Sequence, residues 1–195
     1  MFRLLQWMVC LLLISTCAYG QTVDERLAEV QGLWQTNKDG FLQYKRTIPL
    51  TGLSKEIIHQ RAKEYYLDNQ YDKLDERAAG PVVVLGAAGL FKNVQVTENG
   101  GVRSTVDATH FLHVWVEEGK AEVVITCLQY IFQIGSGSDA GHDEVLISTL
   151  FPVNPQAPRS DKIIGAFLGT TRSATARLEE IEKKMKAPLR SIPQE

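Results

Sequence analysis

The stretch that decides the fold runs from Thr105 to Ile134 and reads TVDATHFLHVWVEEGKAEVVITCLQYIFQI. In its first half, mostly apolar residues occupy the even-numbered positions, which are Val106, Ala108, His110, Leu112, Val114 and Val116. This period of two predicts a strand from Thr105 to Glu117 whose even-numbered side chains face the core. The Glu118-Gly119 pair then predicts a two-residue hairpin turn, because glycine tolerates a positive φ.

The second half of this stretch, from Ala121 to Ile134, predicts the partner strand. Both of its faces are apolar at the middle, which is typical of a strand with neighbours on both sides or a cover on both faces. Each strand of the pair is about 40 Å long at about 3.3 Å per residue. Strands of this length imply a strongly twisted or curled sheet, because adjacent strands rotate relative to one another.

Immediately upstream, the pattern predicts two further strands. Tyr71 to Arg77 is polar and short, as an edge strand would be, and Val82 to Val96 is largely apolar. We expect Val82 to Leu85 to be buried on both faces, because the run has no polar residue. Gly86 to Gly89 has no bulky side chain, which favours a bend or bulge at that point.

Further upstream, the pattern predicts a strand followed by a helix. Phe41 to Leu50 alternates and carries Pro49, which ends the strand or places it at an edge. Ser54 is a suitable N-cap for a helix that reaches about Gln70. The stripe of that helix is formed by Ile58, Ala62, Tyr65 and Tyr66. Residues 21–41 are an N-terminal extension, which we expect to dock through Leu33 and Trp34.

Downstream of the hairpin, a loop over Gly135 to Gly141 leads towards a long C-terminal helix. Ser160 can cap that helix, and Pro188 stops it. Its apolar positions step by threes and fours, as one helix face requires, and are Ile164, Phe167, Leu168, Thr171, Ala174, Leu178, Ile181 and Met185. The predicted fold class is therefore α+β, with an antiparallel sheet packed against this helix.

Three groups of residues resemble a known family of exported bacterial proteins. They are Gly52-Leu53-Ser54-Lys55-Glu56 with the following Arg61-Ala62-Lys63-Glu64-Tyr65, the segment Leu74 to Gly80, and the hairpin Glu117-Glu118-Gly119-Lys120. The chain is similar through them to a domain of unknown function, chiefly from Bacteroidetes, with a TBP-like fold. The resemblance implies a single β-α-β4-α domain over residues 42–187, followed by a tail at 188–195. It implies an envelope location but no activity, and it carries over no functional residue.

The first twenty residues predict a secretory signal peptide. A basic start at Arg3 precedes the apolar run Leu4 to Ile14, and Ala18 and Gly20 are small residues two apart, so we expect cleavage after Gly20. The alternative of a membrane anchor is disfavoured, because a spanning helix needs about 20 apolar residues. We therefore expect a periplasmic or extracellular protein with no transmembrane segment. Lipid anchoring through Cys17 is the less favoured alternative, because Thr16 fits the preceding position poorly.

Composition and charge exclude several classes. The chain has 195 residues, 21 basic and 23 acidic, and a net charge of −2. Removing residues 1–20 takes away Arg3 but no acidic residue, so 20 basic residues face 23 acidic ones and the charge becomes −3. This disfavours a nucleic-acid partner, because such binders need surplus Lys and Arg. Only Cys127 would remain, which excludes an intramolecular disulfide.

No motif in the sequence identifies a catalytic, cofactor or metal site. His110 and His113 are three apart on a strand, so they point to opposite faces and cannot ligate one ion together. His142, Asp143 and Glu144, with Asp139 nearby, are interpreted as loop residues facing solvent. Neither glycine-rich segment ends in the Gly-Lys-Ser/Thr of a phosphate loop. We therefore predict no cofactor and no metal.

Three functions remain open. The leading hypothesis is an exported, non-catalytic module that binds a partner, such as an unknown envelope protein, or assembles in the cell envelope. The alternative is a binder of a small apolar ligand, in a cavity between the sheet and the C-terminal helix. That pocket would be lined by His110, Cys127, Tyr130, Phe167 and Thr171, although the same residues can simply fill the core. An enzyme is the third and least favoured hypothesis.

Overall fold

The fold was analysed in a computed structural model that describes residues 22–71, 73–135, 141–151 and 160–188. The expected signal peptide, Cys17, Asp139, most of the loop after Gly135 and most of the tail lie outside these ranges. The described elements are α1 (Val23–Ala28), β1 (Gln35–Thr36), β2 (Leu42–Pro49), α2 (Lys55–Asp68), β3 (Asp75–Ala79), β4 (Val82–Asn99), β5 (Val102–Glu117), β6 (Lys120–Ile134), β7 (Gly141–Leu146), a 3-10 turn (Ile147–Thr149) and α3 (Ser160–Lys186).

All seven described strands form one antiparallel sheet, in which six follow the order β1-β2-β6-β5-β4-β3 and β7 pairs with β6. Strand β6 is central, as its apolar pattern predicts. One edge of it pairs with β5, and the other pairs first with β2, from Lys120 to Cys127, and then with β7, from Gln129 to Ile134. The predicted α+β class, with an antiparallel sheet packed against a long C-terminal helix, is confirmed.

The β5–β6 hairpin confirms the alternation read from the sequence. All six even-numbered residues of β5 from Val106 to Val116 are buried, whereas the odd-numbered ones are half-buried or exposed. Glu118 and Gly119 form the turn, and Gly119 has a φ of +70°. This turn also receives α2, because Glu118 Oε2 accepts a hydrogen bond of 3.0 Å from the Lys55 backbone N–H.

Helix α2 packs on the sheet face that carries these even-numbered residues. The Ser54 hydroxyl caps it by accepting a bond from the Ile57 N–H, and the predicted stripe is buried. The Tyr66 hydroxyl lies 3.2 Å from the Leu85 carbonyl oxygen of β4 and 3.0 Å from the Leu112 carbonyl oxygen of β5. Helix α2 is therefore tied to two neighbouring strands by one buried side chain.

Helix α3 lies against β4 through two glycines of its own. A Cβ atom on Gly169 would overlap the Val94 carbonyl oxygen, and one on Gly165 would overlap the Gln95 side chain. The predicted apolar stripe of α3 is fully buried, from Ile164 to Met185. The glycines let the helix axis come closer to the sheet than side chains would allow.

Strand β4 differs from its predicted form. It is continuous from Val82 to Asn99, and Gly86 to Gly89 keep regular pairing with β5, so the expected bend is absent there. The irregularity lies instead between Phe91 and Gln95, where Asn93 has a φ of +53°. Val82 to Val84 are only half-buried, so the predicted burial of this run on both faces is wrong.

Two short strands were missed by the sequence patterns. Strand β1 consists of exposed residues, and β7 contains His142 to Glu144, which were interpreted as a loop. Both exist because a neighbouring strand offers unpaired backbone groups, not because their side chains alternate. Beside β1, Trp34 packs edge-on against Phe167 at a centroid distance of 5.3 Å, whereas Leu33, expected to dock with it, is 48% exposed.

Candidate functional site

The five predicted pocket residues are all buried, and they are divided with respect to the two concave surfaces described below. His110 reaches a large cleft on one side of the sheet edge, and Phe167 lines a separate groove. Cys127, Tyr130 and Thr171 border neither of these concave surfaces. The Thr171 hydroxyl lies 2.9 Å from the Tyr44 hydroxyl and 2.9 Å from the Phe167 carbonyl oxygen, so it satisfies buried polar groups within the core.

The large cleft, called the basic cleft below, has a volume of about 1050 Å³. It lies beside the start of β3, where β4 continues without a partner on that edge, because β3 pairs with β4 only from Val82 to Gly86. Its lining comes from the end of α2 and the following turn (Asn69, Gln70, Tyr71, Lys73), from β3 (Asp75, Arg77), from β4 (Gly86 to Leu90, Lys92), from β5 (His110, Phe111, His113) and from α3 (Arg177). A cleft of this size accommodates a small organic molecule.

The floor of the basic cleft is the small-residue run of β4. A Cβ atom on Gly86 would lie 2.8 Å from Cδ2 of His113, and one on Gly89 would lie 2.6 Å from Nε2 of His110 and 2.9 Å from Cε1 of Tyr71. The glycines are therefore required by rings that lie on the strand backbone. This explains the absence of bulk that the sequence analysis interpreted as a bend.

The two histidines lie on opposite faces of β5, as predicted, yet both reach the cleft. His110 is buried and half of the His113 ring is covered. Both can line it because the cleft opens around the edge of β4, where no described strand replaces β3. Burial lowers the pKa of His113 below its usual value, so this ring is neutral at neutral pH.

His110 is enclosed by aromatic rings. It stacks on Phe91 with centroids 4.0 Å apart and an interplanar angle of 18°, and its Nε2 lies 3.5 Å from the Tyr71 hydroxyl. Burial, followed by the charge of Arg177, lowers its pKa to about 4. Its Nδ1 makes no hydrogen bond of good geometry among the described residues, although the Ala108 backbone opposes the fall in pKa.

Arg177 is fixed in place by α2. Its Nη1 donates to the Tyr65 hydroxyl at 3.0 Å and to Oδ1 of Asn69 at 2.8 Å, and it lies 3.4 Å from the Glu180 carboxylate. The guanidinium carbon lies 5.9 Å from the centroid of Tyr71, as in a cation–π contact. These contacts place a fixed positive charge on the wall of the cleft.

Positive charge dominates the cleft lining. The cations are Lys73, Arg77, Lys92 and Arg177, against one carboxylate, Asp75, which already pairs with Arg77 at 2.6 Å. Lys73 and Lys92 are exposed, and neither has an ion-pair partner in the part of the chain that the structure describes. Sequence reasoning missed these residues because they are spread over separate elements. The only local signal was the run of small residues in β4.

The other candidate reactive and metal-binding side chains lie outside this cleft. His142 lies on exposed β7, with its Nε2 2.8 Å from Oε1 of Glu144. Within the described ranges, no three His, Cys, Asp or Glu side chains converge as metal ligands. Cys127 is fully buried, and burial raises the pKa of its thiol well above the usual value, so the reactive thiolate is disfavoured.

A second concave surface, called the apolar groove below, lies between α1 and α3 and has a volume of about 410 Å³. It is lined by Asp24, Leu27, Ala28, Gln31, Trp34, Phe151 and Phe167. Its three aromatic rings pack on one another, with Phe151 5.2 Å and Trp34 5.3 Å from Phe167 between centroids. The groove therefore adjoins the N-terminal segment and not the sheet.

Comparison with known proteins shows what this chain is similar to. The solved structure of a DUF4468 family protein from Bacteroides ovatus matches with a TM-score of 0.53 at 9% identity, covering 81% of this chain and 93% of that one. A TBP-like protein from Parabacteroides distasonis matches with a TM-score of 0.48 at 10% identity, covering 75% and 96%. No protein-family model and no curated protein matches the sequence. At such identities the likeness concerns the fold alone.

None of the described helices combines the length and the apolar character needed to cross a membrane.

Proposed function

We propose that this protein is an exported, non-catalytic binding module of the cell envelope, and that the basic cleft is its binding site. The observation that carries the proposal is the cleft itself, about 1050 Å³ in volume and lined by cations and aromatic rings. The signal-peptide pattern of residues 1–20 supports export. An overall negative charge supports a partner other than nucleic acid.

The arrangement of polar groups supports binding over catalysis. Arg177 Nη1 is engaged by Tyr65 and Asn69, and His110 is held neutral by burial. Burial also raises the pKa of the Tyr71 phenol, so its hydroxyl stays protonated. General acid–base catalysis needs a group that exchanges protons near the working pH. Fixed charges and neutral rings suit recognition of a ligand.

The proposal is tested by cross-linking and pull-down from the native envelope, together with thermal-shift screening of the processed chain against envelope metabolites. A matched variant, Ala88→Trp, fills the cleft floor at an exposed position. We expect a specific partner or ligand that the wild type retains and Ala88→Trp loses, with unchanged circular dichroism. A monodisperse chain that captures no partner and shifts with no ligand would overturn the proposal.

The second candidate function is binding of a small apolar ligand. The apolar groove favours it, because 410 Å³ suffices for a small molecule and Phe167, one of the predicted pocket residues, forms its wall. The neutral fluorophore N-phenyl-1-naphthylamine should brighten with wild type and not with Ala28→Trp, which fills the groove from α1. Ala176→Trp, at an exposed position of α3, serves as the control. Equal brightening in all three proteins excludes this groove.

A further inference from the structure

We infer that the basic cleft takes an organic anion, a flat apolar body that carries a carboxylate or phosphate group. The anionic group would lie against Arg177 and the two lysines, and the flat body against the exposed side chains of Ala88 and Phe111. This inference rests on the proposed function and names the class of ligand for the same site.

The charge of the lining selects an anion. Four cations face one carboxylate in the cleft, although acidic residues outnumber basic ones in the whole chain, 23 to 21. The single carboxylate, Asp75, is already paired with Arg77. Lys73 and Lys92 have no such partner in the described part of the chain. Unpaired cations around a concave surface attract and hold negative charge, because the concave wall focuses their field.

Arg177 is oriented in advance for such a group. The hydrogen bonds and the ion pair that the described residues give its guanidinium all end on Nη1. Its Nη2 and Nε therefore keep their donors for a ligand, on the edge that bonds carboxylates and phosphates in two parallel contacts. Because Tyr65 and Asn69 already immobilise the side chain, binding costs little additional side-chain entropy.

The floor and the rings beside it select a flat apolar body. The rings of His113 and His110 cover Gly86 and Gly89, and Ala88 between them is exposed with only a methyl group. Phe111 is 41% exposed and lies 6.1 Å from His113 between ring centroids. A simple inorganic ion would leave these rings in water, and a neutral apolar ligand would leave the lysines without a partner. A molecule with both parts engages both surfaces.

The experiment uses four defined probes and isothermal titration calorimetry on the processed chain. They are 2-naphthoate, 2-naphthyl phosphate, the neutral 2-naphthalenemethanol and inorganic phosphate. We expect at least one naphthyl anion to bind about tenfold or more tightly than the alcohol and than inorganic phosphate. Its affinity should fall as salt is raised, because the contact is ionic. The preferred head group distinguishes a carboxylate ligand from a phosphate ligand.

Variants locate the binding. Lys73→Gln with Lys92→Gln removes two unpaired charges, and we expect about a tenfold loss of anion affinity. The control Lys38→Gln removes one positive charge from an exposed lysine in the β1–β2 turn, at the far edge of the sheet, and should leave affinity unchanged. Arg177→Lys keeps the charge but removes the fork, so it should weaken binding while the fold is retained.

The outcomes separate this inference from the proposed function. Equal binding of alcohol and anion, or an unchanged affinity in the double lysine variant, overturns the ligand class. The proposed function survives that result if Ala88→Trp still abolishes binding or capture of a partner. If no probe binds and no partner or ligand is captured, both are overturned.

Discussion

His110 shows how one residue acquires a property that its sequence neighbours do not indicate. Its position in the even-numbered row predicts burial, and it is 1% exposed. Its stacking on Phe91 and its contact with Tyr71 come from segments 19 and 39 residues away along the chain. The face of the sheet on which His110 lies could therefore be predicted from alternation, whereas the aromatic surroundings that keep its ring uncharged could not.

This burial predicts a specific loss of stability in mild acid. The pKa of His110 is about 4 in the folded chain and 6.5 when the ring is unperturbed, so the unfolded chain binds the proton first as pH falls. The contribution of the uncharged His110 ring to the free energy of unfolding is fully present above pH 6.5. It is lost as the pH falls from about 6.5 to 4. At pH 5 we expect wild type to have lost about 2 kcal/mol more than His110→Gln. Urea unfolding at pH 7 and pH 5 measures the difference.

The control for this prediction is His142→Gln, which removes an exposed histidine and should keep the wild-type loss. His113 also makes the folded state less stable as the pH falls, because burial lowers its pKa too. This loss is common to wild type and both variants. Carboxylates whose pKa is lowered in the folded chain, such as those of Glu76 and Glu182, lose their contribution to stability only below about pH 4.5. They therefore do not affect the comparison between pH 7 and pH 5. Equal losses in wild type and His110→Gln would refute the assignment.

At the scale of elements, the contact between α3 and β4 depends on absent side chains. The apolar stripe of α3 could be predicted from its spacing in the sequence, because every third or fourth residue must face the sheet. Gly165 and Gly169 do not stand out in that pattern. Their role depends on Val94 and Gln95, at the irregularity of β4, and that irregularity was expected at Gly86 to Gly89 instead.

Gly169→Ala should therefore destabilise the protein, although alanine is the better helix former. Its methyl group would overlap the Val94 carbonyl oxygen, which is backbone and cannot rotate away. We expect a loss of about 3 kcal/mol in the free energy of unfolding, measured by urea denaturation. Gly165→Ala meets the flexible end of Gln95 and should lose less. A stabilised Gly169→Ala protein would contradict the close approach of helix and strand.

The whole molecule was predicted more securely than its site. The β5–β6 hairpin, the central place of β6 and the two helices of the core follow from periodicity, caps and turns that are local in the sequence. The basic cleft joins side chains from α2, β3, β4, β5 and α3, so no local pattern contains it. Strand β5 contributes residues from both of its faces to the cleft, His110 from one and His113 from the other. Alternation alone predicts that these two residues lie apart.

Export makes a prediction about the whole chain. Intact-mass analysis of the protein from the envelope fraction should give an N-terminus at Gln21, because Ala18 and Gly20 fit a signal-peptidase site. Ala18→Gln should accumulate the uncut precursor, whereas Ala18→Ser should be processed as wild type. An acylated N-terminus at Cys17 would replace this expectation with lipid anchoring, and an intact Met1 would refute cleavage.

The reactivity of the Cys127 thiol measures how often the folded protein opens. Cys127 sits on the central strand with no exposed surface, and it is the only thiol of a chain cut after Gly20. A thiol-specific reagent can reach it only after the core around it has opened. The rate of labelling under native conditions therefore measures how often the core opens. Ligand in the cleft would slow that labelling by stabilising the folded state.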